Sequence, residues 1–370
     1  MPTPGGDEAD ASAPKADKPS LLKRNATATV ASLLFALGLA WVMNAGGLPL
    51  LPPSEALAKV DHVYVVWFVL LMIVNMVTRF GRYHFLIAPL AKLSFRRLMS
   101  INAIGLGLIT FLPLRIGEMA RPAMLREKGR LSAWAVTGTV GAERILDGVV
   151  FSVMLLGGLA VAKPHEPLPT HVGELPVPAS LVPQAGLLAG LVFGIAFIVM
   201  FGFYWQRALA RRITLKLLGL VSEKLAVRVA DIVERLSSGL GFLVNPRYTL
   251  PYLLVTVVSI AAQVWSLEVL AHAVGLPELT LAQATVVLGV LALGFVMPNA
   301  PGFFGTIQLA LYAGLATYIA PVKVAHEGAV FVFLFYVTYL ALVVGFAALA
   351  LVVEYFAPAQ ASTSEESQAA

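Results

Sequence analysis

The chain has 370 residues, of which 58% are hydrophobic and 13% are charged, with a formal net charge of +5. Its mean hydropathy is +0.82, and several apolar runs are long enough to cross about 30 Å of hydrocarbon as helices. This composition excludes a soluble globular domain. The absence of cysteine excludes disulfides, thiol catalysis and cysteine-based metal sites. Basic residues lie between apolar runs rather than on a soluble face, so nucleic-acid binding is not expected.

The pattern of apolar runs predicts an all-α polytopic membrane protein with about eight membrane segments, two of them broken or re-entrant. The predicted apolar runs cover residues 26–45, 62–77, 98–114, 148–161, 181–204, 250–274, 281–296 with 306–319, and 330–353. Residues 26–353 therefore form the membrane domain. Residues 1–25 and 354–370 are polar tails, and the first of them is predicted to be disordered.

The distribution of lysine and arginine predicts the orientation of these segments. The first span is interpreted as an uncleaved helix that follows Lys23 and Arg24. Residues 205–249 form the most basic loop, in which interleaved leucines predict an amphipathic helix on the cytoplasmic face. Because lysine and arginine mark the cytoplasmic side, both tails are expected in the cytoplasm.

The run 98–114 is the first broken element. Basic groups flank it on both sides, so a complete crossing would leave one group outside, whereas a re-entrant segment keeps both inside. Asn102, Gly105, Gly107 and Pro113 suit broken backbone that lines a cavity. A crossing with imperfect charge bias remains the alternative.

The second broken element surrounds the sequence MPNAPGFFG. Pro298 and Gly302 repeat the Pro-x-x-x-Gly spacing of Pro113 and Gly117, and the charge argument gives the two units opposite orientations. That is the pattern of an inverted repeat whose interrupted helices build a transport site. One shared spacing is also compatible with chance.

Two charged clusters mark the candidate site, because ionised side chains in hydrocarbon are costly unless they are paired or hydrated. The first cluster comprises Arg115, Glu118 and Arg121, and the second comprises Glu143, Arg144 and Asp147. Arginine binds phosphate through its planar fork, so these groups could form a path for a lipid headgroup. A closed ion-pair network that only docks helices is the alternative.

Four further polar residues are candidate substrate contacts. Arg79 and Arg82 either capture a phosphate or anchor the second span at the cytoplasmic face. Asn299 and Gln308 either line a cavity or satisfy freed backbone groups. Structural roles in turns are predicted for Pro113, Gly117, Pro298, Pro301, Gly302 and Gly305.

Three motifs in order carry a resemblance to a known family: PLRIGEMAR, AERILDG and PNAPGFFGTIQ. Together they resemble the flippase-like integral membrane family typified by the transmembrane region of lysylphosphatidylglycerol synthase. The family positions are matched by Pro113, Gly117, Glu118, Arg121, Glu143, Arg144, Asp147, Pro301, Gly302 and Gly305. Two positions depart from it: Phe303 stands where a second glycine is frequent, and Gln308 stands where glutamate is frequent.

The resemblance implies a bacterial inner-membrane protein that moves a phospholipid between leaflets through a charged groove. Synthase activity is not expected, since no aminoacyl-transfer domain follows the last span. Three rivals remain open: a small-solute secondary transporter, a lipid-modifying enzyme that uses Glu118 or Asp147, and an accessory subunit that docks a partner lipid-modifying enzyme. A homo-oligomer is also open. The histidines lack metal-ligand spacing and no nucleotide motif occurs, so neither a metal nor a cofactor is expected.

Overall fold

The computed structural model describes residues 30, 34, 36–112, 117–126, 131–164, 171, 181–206, 212, 215–216, 227, 229–232, 238–296 and 300–356. Throughout these residues the fold is helical, with no strand, which confirms the predicted class. Five helices are long and apolar enough to cross a membrane. The predicted tail 1–25, residues 357–370 and most of the basic loop 205–249 lie outside the described part.

Eleven helices carry the architecture of the described part. They are α1 (Ala36–Ala45), α2 (His62–Gly81), α3 (Tyr83–Ile87), α4 (Phe95–Phe111), α5 (Ala120–Arg126), α6 (Ala133–Val161), α7 (Leu181–Trp205), α8 (Pro246–Ala273), α9 (Leu281–Val296), α10 (Thr306–Ala316) and α11 (Glu327–Phe356). Short helical turns also occur at Ser54–Leu57, Gly241–Val244, Pro301–Phe303 and Pro321–Ala325.

Polar side chains fix where several helices begin. Asp61 caps α2 by accepting a hydrogen bond from the Val63 amide at 2.9 Å. Asn245 caps α8 in the same way, and Pro246 occupies the first turn, where its missing N–H costs nothing. These caps set the register in which the apolar segments enter the bundle.

Helices α2 and α8 form an antiparallel pair that defines the two ends of the bundle. The Asp61 amide donates to the Ala273 carbonyl at one end, and Asn75 donates to Ser259 midway. At the other end, Arg97 at the start of α4 forms an ion pair with Glu354 near the end of α11. We call the end that carries Arg97 and Glu354 the basic end, and the other the opposite end.

Helices α4 and α5 form a hairpin that enters and leaves at the basic end. A Cβ on Gly117 would lie 2.3 Å from the Ile109 backbone, and one on Gly105 would lie 3.0 Å from Arg121 Cγ. The chain therefore turns back after Phe111 and returns alongside α4. This geometry favours the re-entrant interpretation of 98–114 over a complete crossing.

Helices α9 and α10 form a second hairpin, which enters and leaves at the opposite end. Gly294 packs against Ala310, and Gly314 packs against Val287, so the two helices are antiparallel. The turn Pro301–Phe303 at the tip of this hairpin contacts α4 of the first hairpin. The two broken elements thus approach each other from opposite ends, as an inverted repeat requires.

Two helices extend beyond their predicted limits, and each extension moves a charge into the bundle. Helix α2 continues to Gly81, so Arg79 lies within the helix rather than after it. Helix α11 continues to Phe356, so Glu354 is a helical residue and does not open a polar tail. The apolar pattern alone ended both segments early, because the surroundings that accept these charges, Arg97 beside Glu354 and a cavity beside Arg79, come from distant parts of the chain.

Candidate functional site

A buried arginine at the end of α2 holds the two carboxylates of α6. Arg82 Nη2 donates to Glu143 Oε1 at 3.0 Å and to Asp147 Oδ2 at 2.6 Å. Glu143 and Asp147 are one helical turn apart, so both face the same neighbour. Arg82 Nη1 also donates to Thr256 Oγ1 on α8 at 3.3 Å, and the residue is only 4% exposed. Arg82 therefore joins three helices and is not a surface anchor.

A second buried arginine ties the first hairpin to the same carboxylate. Arg121 Nη1 on α5 donates to Glu143 Oε2 at 2.7 Å. The close approach is possible because Gly105 leaves space on α4 for the stem of this arginine. Glu143 is thus shared by Arg82 and Arg121, and each of its oxygens accepts one of them. Each oxygen of this buried carboxylate thus has a guanidinium partner, while the Nε atoms of Arg82 and Arg121 are buried without a hydrogen-bond partner in the described part of the chain.

Two buried tyrosines lie against these two arginines. The Arg82 guanidinium carbon is 5.4 Å from the ring centroid of Tyr252, and that of Arg121 is 5.3 Å from the ring centroid of Tyr83. An aromatic face attracts a cation, and more strongly where water is excluded. The sequence analysis did not find Tyr83, Tyr252 or Thr256, because no spacing in the sequence links them to the charged motifs.

Two other arginines are not held in this way. Arg144 Nη2 lies 4.0 Å from Glu143 Oε2, at the limit of an ion pair. Arg79 lies within electrostatic reach of Arg82, Arg144 and Asp147, yet it makes no hydrogen bond or ion pair with any residue that the structure describes. Both side chains line a cavity. The cluster is therefore divided into a paired core and two cations that face open space.

The cavity has a volume of about 300 Å³ and lies between the two hairpins and the helices α2, α6, α7, α8 and α11. Its charged part is lined by Arg79, Arg82, Glu118, Arg144 and Asp147. Its apolar part includes Leu288, Leu291, Phe295, Phe303 and Phe335. One continuous cavity therefore offers charge on one side and hydrocarbon-like surface on the other.

A row of uncharged polar groups continues from the charged part along the α2–α8 pair. Asn75 Nδ2 donates to the Ser259 carbonyl at 2.8 Å and to its hydroxyl at 3.0 Å. Gln263, one turn further toward the opposite end, donates to Ser266 and to the sulfur of Met72. Asn75, Ser259 and Gln263 all line the cavity. They form a polar wall that extends from Arg79 toward the opposite end.

The structure gathers most of the predicted site residues, but they serve different purposes. Those lining the cavity are Arg79, Arg82, Glu118, Arg144 and Asp147. Arg121 and Glu143 lie behind them as a brace. Arg115 and Asn299 lie outside the described residues, as do the predicted turn residues Pro113 and Pro298. Among the residues described, no group of three His, Asp or Glu side chains could hold a metal ion.

Gln308 does not line the cavity and has a local role instead. Its Oε1 accepts a hydrogen bond from the Gly305 amide at 2.8 Å, which satisfies a backbone N–H at the start of α10. Of the two interpretations offered by the sequence, the geometry favours the satisfaction of a freed backbone group. The side chain is buried, so this hydrogen bond is shielded from water.

The turn before α10 explains its glycines by backbone conformation. Gly302 has φ of +74° and Gly305 has φ of +78°, values that glycine adopts without a steric cost. Gly305 is also pressed against Leu39 of α1, where a Cβ would lie 2.5 Å from that side chain. Pro301 begins the turn Pro301–Phe303, as its fixed φ favours. The structural roles predicted for these residues agree with this geometry.

Residues 29–345 match the protein family described as the lysylphosphatidylglycerol synthase TM region. The match covers both hairpins, the paired arginines and the cavity. The chain belongs to this family. No curated protein and no solved structure matches the chain. The family relates the chain to membrane domains concerned with lipids, and all three sequence motifs lie inside the matched range.

One departure from the family pattern has a physical consequence. Phe303, at the position where a second glycine is frequent, has a positive φ of +53°. A side chain in this left-handed region costs about 1–2 kcal/mol. Its ring lies 5.0 Å from that of Phe295 and 6.4 Å from that of Tyr339, and it lines the cavity. The aromatic contacts offset the backbone strain and make this wall of the cavity apolar.

Proposed function

We propose that this chain moves a phospholipid between the two leaflets of a bacterial inner membrane. The observation that carries the proposal is the cavity, which joins Arg79 and Arg144 to an apolar wall formed by α9 and α11. A phospholipid has the same division, with a phosphate at one end and hydrocarbon at the other. Arginine is well suited to the phosphate because its fork donates two parallel hydrogen bonds.

The polar wall gives the headgroup a route through the hydrocarbon region. A charged group in hydrocarbon costs several kcal/mol unless polar groups accompany it. Asn75, Ser259 and Gln263 continue the polar surface from Arg79 toward the opposite end. The cavity is at the small end of ligand sites, which span about 300–1,000 Å³. The headgroup therefore occupies the charged part with the adjoining ends of the acyl chains against the apolar wall, while the rest of the chains stays in the bilayer.

The two hairpins suit alternating access to this site. They enter from opposite ends and their tips meet beside the cavity, where Thr110 on α4 lies 3.5 Å from the hydroxyl of Tyr339 on α11. Small movements of one hairpin against the other would open the site to one leaflet at a time. By the charge rule, we expect the basic end to face the cytoplasm.

The competing functions have less support from the same geometry. A small-solute carrier has no use for the wall that contains Phe295, Phe303 and Phe335. A lipid-modifying enzyme would need an acid or base that is available for proton transfer, and Asp147 is already bonded to Arg82. Glu118, the other candidate, lies in the same cavity within electrostatic reach of Arg144. We therefore expect translocation without chemical change of the lipid.

The test compares headgroup-labelled phospholipid movement in proteoliposomes for wild type and Arg144→Ala. We expect the variant to lose at least about tenfold in rate, because one charge-assisted contact to the phosphate is worth about 1.5–3 kcal/mol. Arg247→Ala is the matched control, since it removes an exposed cation from the basic end. A folded wild type that moves no phospholipid would overturn the proposal, as would an Arg144→Ala variant that is as active as the control.

A further inference from the structure

We infer that the headgroup handled by this cavity carries a net negative charge, so that the substrate class is an anionic phospholipid rather than a zwitterionic or cationic one. This inference rests on the proposed function and deepens it. It follows from how the charges around the cavity are distributed among partners.

The described cluster has more cations than anions. Its four arginines are Arg79, Arg82, Arg121 and Arg144, and its three carboxylates are Glu118, Glu143 and Asp147. The surplus is one positive charge, beside a cavity whose remaining described lining is uncharged. An uncompensated charge in such surroundings is costly, and an anionic ligand relieves that cost. A neutral or cationic ligand would leave it in place.

The surplus charge is located at the cavity surface and not in the brace behind it. Arg82 and Arg121 each contact a carboxylate oxygen at 3.0 Å or less. Arg79 has no such contact within the described part of the chain. It lies three residues before Arg82 on α2, and both side chains line the cavity. Arg79 is therefore placed to bind a phosphate, because its charge is not paired with a carboxylate of the described fold.

The carboxylates offer little to a positively charged headgroup. Both oxygens of Glu143 accept arginine hydrogen bonds, and Asp147 Oδ2 accepts another from Arg82. An ammonium group would have to compete with these buried guanidinium ions and would lie close to Arg79 and Arg144. Glu118 is the remaining acidic residue on the cavity surface, and it acts electrostatically on Arg144. A cationic headgroup therefore meets Arg79 and Arg144 at the cavity surface, where both carboxylates, Asp147 and Glu118, already interact with arginines.

The apolar wall distinguishes a lipid from a soluble anion of the same charge. Leu291, Phe295 and Phe303 face the same cavity as Arg79. A soluble phosphate ester has no hydrocarbon chain to pack against these side chains, which would then stay in contact with water. The shared chemistry is a phosphate with net negative charge, and the contact with hydrocarbon assigns it to a lipid.

The experiment measures the movement of three labelled lipids in otherwise identical proteoliposomes. They are phosphatidylglycerol, phosphatidylethanolamine and lysyl-phosphatidylglycerol, whose headgroups carry net charges of about −1, 0 and +1. We expect phosphatidylglycerol to move at least about tenfold faster than the lysyl form. A headgroup in contact with Arg79 is attracted if it is anionic and repelled if it is cationic, and this difference exceeds the 1.4 kcal/mol that a tenfold ratio requires. Labelled glycerol 3-phosphate is added in a separate arm as a soluble competitor.

Two variants test the assignment to Arg79. In Arg79→Gln the ratio between the anionic and the cationic lipid should fall to within about threefold, because the surplus charge has been removed. Arg79→Lys keeps the charge and should keep most of the preference while losing the arginine fork. Thermal unfolding in detergent verifies that both variants fold, and Arg247→Gln is the control for a cation outside the cavity.

The outcomes separate this inference from the function on which it rests. Movement of all three lipids at equal rates would leave lipid translocation standing and overturn the charge preference. A preference that survives in Arg79→Gln would also overturn the assignment. Uptake of labelled glycerol 3-phosphate into the proteoliposomes, with no movement of any of the three lipids, would refute both and indicate a carrier of soluble anions.

Discussion

The two hairpins of this protein have the same topology in opposite orientations, and they are held in place by different forces. The first, α4–α5, is bound to the bundle through charge, with Arg121 paired to Glu143 on α6. The second, α9–α10, is bound through close packing, with Gly314 against Val287 and Gly294 against Ala310. Buried polar groups on the first hairpin include the charged Arg121 together with Asn102 and Thr110, whereas the buried polar groups on the second, Thr306 and Gln308, are uncharged.

This difference indicates a division of labour between two elements of related topology. Under the proposed function, charged and polar groups on the first half would hold and orient a headgroup, and the second half would supply an apolar surface for the lipid. Inverted repeats often share backbone architecture, but side chains in each half are free to take separate roles. The comparison predicts that the two hairpins fail in different ways when they are altered.

The largest effect is expected where charge holds the first hairpin. Glu143→Gln removes the shared partner of Arg82 and Arg121, so that Arg121 loses its ion pair and Arg82 retains only Asp147. Breaking a buried pair costs about 3–5 kcal/mol because a charge is left without compensation. We expect a marked fall in the unfolding midpoint in detergent, together with loss of lipid movement.

Asp147→Asn is the internal comparison for that variant. Asp147 accepts a hydrogen bond from Arg82 only, and Arg82 keeps Glu143 when the carboxylate is lost. The expected destabilisation is therefore smaller than that of Glu143→Gln. If the two variants were equally stable, the shared role of Glu143 between two arginines would be wrong.

A smaller effect is expected where packing holds the second hairpin. In Gly314→Ala the new Cβ would lie 3.1 Å from Val287 Cα, a backbone atom that cannot move aside easily. Overpacking of this kind costs about 1–3 kcal/mol. The measurement is again the unfolding midpoint in detergent, with lipid movement assayed in parallel to see whether the apolar wall keeps its shape.

Gly345→Ala is the matched control, because nothing lies within 4 Å of a Cβ at that position of α11. It should be neutral or slightly stabilising, since alanine favours the helix more than glycine does. Equal midpoints for the two alanine variants would show that close approach at Gly314 does not stabilise the second hairpin.

The sequence predicted the class of fold from its apolar runs, and it predicted from local spacing which charges share a helix face. Glu143 and Asp147 share a helix face at i, i+4, and the structure confirms that they face one partner. The sequence did not identify that partner as Arg82. This residue lies 61 residues before Glu143, and its position after an apolar run is equally compatible with a surface anchor. Burial, which decides between the two roles, depends on tertiary packing.

Other parts of the site had no signal in the sequence at all. Tyr83 of α3 meets Arg121 of α5, and Tyr252 of α8 meets Arg82 after α2, only through tertiary packing, and tyrosine in an apolar run has many explanations. The substitution of phenylalanine at position 303 was visible, but its positive φ and its place in the cavity wall were not. Contacts between distant segments determine these features, and spacing along the chain does not report them.

The smallest predicted effect concerns the position at which the chain departs from the charge pattern of its family. Gln308→Leu removes the acceptor of the Gly305 amide and should lower stability by about 1 kcal/mol, whereas Gln308→Glu retains an acceptor and should lower it less. Neither variant should change the rate of lipid movement, because the side chain caps α10 away from the cavity. The decisive measurement is that rate with and without a proton gradient. A gradient dependence that arises only in Gln308→Glu would show that this position couples transport to protons, and the second hairpin would then contribute charge chemistry as well as packing.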